Sequence, residues 1–166
     1  MKRMFCVLLL ALSAGAFGRA ATDDAAKSAF QKFQDLAGDW AGKDNAGMDV
    51  GTKFEKVAGG TAVMETLNMS GMEEMVTLYN VDGDGIALVH YCPTNNQPRM
   101  RAVPASADVH ELTFAFQGAT NLPDLKIGHE QKMVIQFQDH DHIVEHWTWR
   151  KNGEDTKMIY TFTRKR

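Results

Sequence analysis

The chain reads as an all-β protein, an antiparallel up-and-down barrel of about ten strands reached through a short N-terminal helix. Three observations carry this reading. From Gly38 onward apolar and polar residues alternate with a period of two. The breaks hold turn residues, Ala58-Gly59-Gly60, Asp82-Gly83-Asp84-Gly85 and Asn152-Gly153, the last a two-residue hairpin signal. No helical run interrupts the series after Leu36. A two-sheet sandwich fits the same pattern and is the structural alternative.

In chain order, residues 1–20 read as a signal peptide: Lys2 and Arg3 precede an apolar run from Phe5 to Leu12, and Gly18-Arg19-Ala20 offers small residues for cleavage. The run is shorter than the about 20 residues that span a bilayer, and Cys6 lacks a lipoprotein context. The mature chain is therefore expected to be periplasmic or secreted, with no stable membrane insertion. Cleavage removes Lys2, Arg3 and Arg19 and leaves 15 basic against 21 acidic residues, a net charge near −6. That balance, with no basic cluster, argues against nucleic acid as a partner. Only Cys92 remains, so no internal disulfide forms; the thiol stays free or pairs with a second chain. Residues 21–37 form the expected helix, with Ala26, Phe30, Phe33 and Leu36 at helical spacing; it either plugs a barrel mouth or merely leads into the first strand.

The barrel domain occupies 38–166. Strands are expected over 38–43, 50–57, 61–69, 74–81, 85–92, 97–103, 109–117, 131–138, 142–151 and 156–164. The 123–130 region, with Pro123 and Gly128, is the connection long enough for a lid. Asp82-x-Asp84 resembles the start of a calcium loop, but the later ligands are missing and a plain hairpin turn accounts for it.

The opening Leu36-Ala37-Gly38-Asp39-Trp40-Ala41-Gly42 and the closing Tyr160-Thr161-Phe162-Thr163-Arg164 together resemble the calycin superfamily of lipocalin-like barrels. The resemblance implies that Trp40 and Arg164 meet at the closed end, guanidinium over indole, a contact worth roughly 0.5 to 2 kcal/mol. The segment His90-Tyr91-Cys92 with Asn96-Gln97-Pro98-Arg99-Met100 is similar to one found in an exported bacterial branch of that superfamily. This second resemblance implies no activity.

That segment is a hairpin, with Ile86, Leu88, His90 and Cys92 on one face of its first arm, Ala87, Val89 and Tyr91 on the other, and Arg99 and Arg101 opposite Met100 on the second. Inward arginines would select a carboxylate or other anionic head group; outward ones would balance an acidic surface. A second polar cluster holds His140, His142 and His146 with Glu145, Trp147 and Trp149. His142 and His146 stand roughly 13 Å apart along a strand, too far to share a metal. Two tryptophans favour the Glu145 face as the buried one, and an inward Glu145 needs a partner such as Arg99 or Arg101. The many methionines suit either an adaptable pocket or an ordinary core.

The expected function is the binding of a small, largely apolar ligand with a polar or anionic end in a barrel lumen, by a monomer or homodimer that needs no cofactor. The candidate ligand-binding residues are His90, Tyr91, Arg99, Arg101, Glu65, Glu145 and Trp147, with Trp40 and Arg164 structural. Two alternatives are a cofactor-free enzyme with His90 or Glu145 as general base beside Arg99 or Arg101, and a haem barrel ligated by His90 or His146. A third is an envelope interaction module using an exposed barrel edge or Cys92.

Overall fold

The computed structural model describes the backbone of residues 14–166 and the side chains from Asp24 onward. Residues 1–13, most of the signal segment, lie outside the described residues. Helix α1 spans Ala14–Asp35, starting earlier than expected because the Ala-rich stretch before residue 26 carries strong helix propensity. It stops when Gly38 takes a left-handed φ of 132°, a conformation that suits a residue without Cβ.

Ten strands follow: β1 Gly38–Asp44, β2 Asp49–Val57, β3 Ala62–Met69, β4 Met75–Asp82, β5 Gly85–Tyr91, β6 Gln97–Ala102, β7 Glu111–Thr120, β8 His129–Phe137, β9 His142–Lys151 and β10 Glu154–Arg164. Each pairs antiparallel with its neighbour in sequence, and β1 pairs β10, closing a barrel. Closure leaves no unpaired edge, so the edge that an interaction module would have used is absent. At the seam a Cβ on Gly42 would lie 2.0 Å from the Thr161 carbonyl oxygen, so the first and last strands approach only because that residue is glycine.

Helix α1 plugs the end where β1 begins. Phe33 is fully buried, stacks on Tyr79 at 4.5 Å between ring centroids, and meets Phe114 and Phe137 edge-on. Burial of such a ring contributes about 1.5–3 kcal/mol. Arg164, opposite Trp40 in the β1–β10 register, lies 4.2 Å above the indole ring. Its guanidinium also donates to the carbonyls of Asp35, Ala37 and His140, while Trp40 Nε1 donates to Leu36 O. The helix C-terminus is thereby tied to the last strand through otherwise orphaned carbonyls.

The other end of the barrel carries the β1–β2, β3–β4, β5–β6, β7–β8 and β9–β10 connections and is open. The 123–130 region, expected to be long enough for a lid, is pinned there up to the start of β8: Asn96 Nδ2 donates to Gly128 O at 2.8 Å, and Asn152 N donates to Lys126 O. Asp82 and Asp84 form the plain turn, and both receive hydrogen bonds from Arg101. Among the described residues no helix is long and apolar enough to cross a membrane.

Candidate functional site: the open end of the lumen

A cavity of about 270 Å³ opens between the hairpins at this end. Its upper wall is sulfur-rich, with Met69, Met72, Met75, Cys92 and Met158. Its floor is His90, Glu130, Trp147 and Tyr160. A larger groove of about 810 Å³ runs over the outside of β7–β10, where Arg150 donates to Asp155 and Gln136 donates to Glu111. The buried carboxyl oxygens without hydrogen-bond partners, on Glu130 and Glu145, are in the lumen.

His90 reaches the lumen because β5 alternates Ile86, Leu88, His90 inward. It is only 2% exposed. Its Nδ1 is 2.9 Å from the hydroxyl of Thr77, its cross-strand partner, and its ring lies 4.7 Å from that of Trp147. Among the described residues Nε2 has no hydrogen-bond partner. Burial lowers its pKa to about 4, so the ring is neutral at physiological pH.

Glu130 enters the lumen by a backbone irregularity. The β8–β9 register slips between Glu130 and Lys132, leaving Gln131 as an extra residue; beyond the slip Met133, Ile135 and Phe137 are the buried positions. Such a bulge inverts which residues face in. Glu130 Oε2 is buried without a partner, and burial raises the carboxyl to a pKa of about 8. It is therefore mostly a neutral acid, able to donate, at neutral pH. Trp149 closes over this side of the cavity, packed against Gly128 so tightly that a Cβ there would lie 2.2 Å from the indole.

Deeper in the lumen Glu65 accepts from Thr52 Oγ1 at 2.8 Å and Tyr79 Oη at 2.7 Å. Glu145 accepts from Trp147 Nε1 at 2.9 Å, while its Oε1 is buried with no partner at hydrogen-bond distance. Burial raises both carboxyls, and the neighbouring Glu65 raises Glu145 further. Of the two, Glu145 is held more strongly in its neutral form, because it faces Glu65, which already accepts from two hydroxyls.

Several expected positions are corrected. Arg99 and Arg101 pair with Val89 and Ala87 across the β5–β6 ladder, on the outer face. Arg99 is exposed, and Arg101 is bound to Asp82 and Asp84. Tyr91 is outside too, 47% exposed. No arginine therefore meets Glu145, whose neighbours are Trp147 and Glu65. His146, between inward Glu145 and Trp147, borders the outer groove and is out of reach of a lumenal haem. His90 and Trp147 line the cavity; Glu65 and Glu145 lie beneath it. Reasoning from alternation set Trp149 on the buried face with Glu145 and Trp147 but missed Glu130, Tyr160 and the two Glu65 donors Tyr79 and Thr52. Tyr79 was in principle legible, two and four residues beyond inward Thr77 and Met75; Glu130 was not, because the bulge breaks the period. Among the described residues no three His, Cys, Asp or Glu side chains cluster as a metal site.

No protein-family model matches the chain, and no curated protein sequence is similar to it. Among solved structures it is similar to that titled "Crystal Structure of Rv2717c from M. tuberculosis", with a TM-score of 0.59 and 15% sequence identity, covering 83% of this chain and 98% of that one. At that identity the likeness establishes a shared barrel fold.

Proposed function

We propose that the protein is an exported binding protein of calycin-like type, periplasmic or secreted, that holds a small apolar molecule with a neutral hydrogen-bonding end in the open half of its barrel. The observation that supports this is an apolar cavity whose floor carries the Glu130 carboxyl, its Oε2 buried without a protein partner, beside the imidazole of His90. Leaving a buried polar group unpaired costs about 1–3 kcal/mol, a cost that a bound ligand removes. The neutral imidazole and neutral acid carry no charge to pair with a carboxylate and match the hydrogen-bonding end of an alcohol, phenol or amide better. The anionic head group first expected from Arg99 and Arg101 loses its basis with both guanidiniums outside. The cavity falls just below the roughly 300–1,000 Å³ of drug-sized sites, which favours a small occupant; a porphyrin would have to displace the Met72 hairpin.

The test is native mass spectrometry of protein purified from its own compartment, with an ultraviolet–visible spectrum. An extra organic mass that leaves on denaturation, and whose occupancy falls in His90→Leu and Glu130→Leu but not in Arg99→Ala, is the expected outcome. A bare polypeptide mass, together with no thermal shift across a panel of small phenols and amides, would overturn the reading.

A further inference from the structure

The cavity wall holds a set of side chains that the organic-ligand reading does not require. Met69, Met72, Met75, Cys92 and Met158 bring five sulfur atoms to a space of about 270 Å³ that also contains the unpartnered Nε2 of His90. Leu, Ile or Val would make the same space apolar. Thioethers, a thiol and an imidazole together are the donor set preferred by a soft monovalent metal ion.

The strand register brings three of these donors to one patch. Thr77 pairs with His90 and Val76 with Tyr91, so continuing the β4–β5 ladder by one residue sets Met75 opposite Cys92. Opposed residues on one face have Cβ atoms about 4.5–5.5 Å apart, and diagonal ones about 7–8 Å. Met75 and Cys92 are thus cross-strand neighbours, and His90 is the next inward residue on the Cys92 strand. Met69 follows the inward Leu67, which pairs with Met75, on the adjoining strand. Cys92 forms no disulfide. The Thr77 hydroxyl at Nδ1 fixes the imidazole and leaves Nε2 toward the lumen.

We propose that this patch is a Cu(I) site, with Cys92 Sγ, Met75 Sδ and His90 Nε2 as ligands and Met69 as a fourth donor. On binding, the Cys92 S–H bond breaks, the thiolate sulfur bonds the cuprous ion, and the proton leaves to water at the open mouth; copper stays in the +1 state throughout. A thiolate and a monovalent cation sum to zero charge, which suits an apolar cavity better than a divalent ion would. Coordination through His90 Nε2 requires the imidazole proton on Nδ1, where the Thr77 hydroxyl oxygen, 2.9 Å away, accepts it. The site does not depend on an organic ligand, although both occupants use His90 and so exclude one another.

The test is an anaerobic titration of the purified, reduced protein with Cu(I) in competition with a colorimetric cuprous chelator, followed in parallel by tryptophan fluorescence and native mass spectrometry. One copper per chain should be withheld from the chelator, with quenching of tryptophan emission at the same stoichiometry, because His90 lies against Trp147. Cys92→Ser, Met75→Leu and His90→Leu should each weaken binding roughly tenfold or more. His90→Gln, which can keep a hydrogen bond to Thr77, serves if His90→Leu fails to fold. Met48→Leu, at an exposed methionine outside the cavity, should bind as the parent does. Complete loss of copper to the chelator by the parent protein overturns the proposal. So does an outcome in which Cys92→Ser alone abolishes binding, which marks a simple accessible thiol. The mass spectra record copper and any organic adduct separately, so failure of one reading is distinguishable from failure of the other.

Discussion

At the closed end of the lumen the polar groups that enter the core find partners: the Trp40 indole donates to Leu36, and Arg164 donates to the carbonyls of Asp35, Ala37 and His140. At the open end His90 Nε2 and Glu130 Oε2 find none, and Glu145 Oε1, midway, shares that condition. Both regions are lined by large side chains, yet one is filled by Phe33 from the helix and the other encloses space. The difference separates two uses of the same barrel. Satisfied polar groups next to packed aromatics make a plug that stabilises the fold, while unsatisfied ones next to empty volume are what the proposed ligand would satisfy.

The comparison can be broken most directly from the plug side. Phe33→Ala should cost about 3–5 kcal/mol in chemical denaturation, because the surrounding Tyr79, Phe114 and Phe137 cannot collapse into the gap. Ligand or copper occupancy of the protein that remains folded should be unchanged; a parallel loss would mean that the two ends are energetically one site. From the open side, Glu130→Gln should stabilise by about 4 kcal/mol at pH 8. The sign follows from a folded pKa near 8 against an ordinary 4.5: the unfolded chain sheds this proton first, so stability declines as pH rises between those values. Denaturation midpoints across pH 5 to 8 should show a shallower decline in the variant, and equal slopes would place Glu130 in contact with water or a partner. Arg164→Ala should lower stability by about 1–2 kcal/mol through loss of the cation–π contact and the carbonyl bonds. Thermal unfolding measures this, with the ligand-bound mass again unaffected. The smallest effect belongs to Arg99→Ala, under about 0.5 kcal/mol and without influence on binding, since its side chain is exposed on the outer face.

Much of the architecture was legible because alternation acts locally. The ten strand segments emerge within a few residues of their bounds, and the helical spacing of Phe30, Phe33 and Leu36 anticipates a face that the barrel buries. The site was legible only in part. His90 and Trp147 were identified from their strands, but grouping them with Tyr91, Arg99 and Arg101 treated closeness in the hairpin as closeness in space. The pleat divides that hairpin: residues flanking one another in sequence leave on opposite sides of a sheet one residue thick.

What the sequence determined by itself is therefore the all-β class, the turn positions, the helix face and which residues of a regular strand share a face, since all of these depend on neighbours within a few residues. Only the tertiary structure decided that the barrel closes through β1 and β10, that α1 fills one end, and that Glu65 and Glu145 meet across the lumen rather than pairing with arginine. It also decided that Glu130 faces inward, because a single extra residue at Gln131 inverts the alternation. The reason is common to all four: each depends on which strands become neighbours and in what register, and that is set by packing residues distant in the chain.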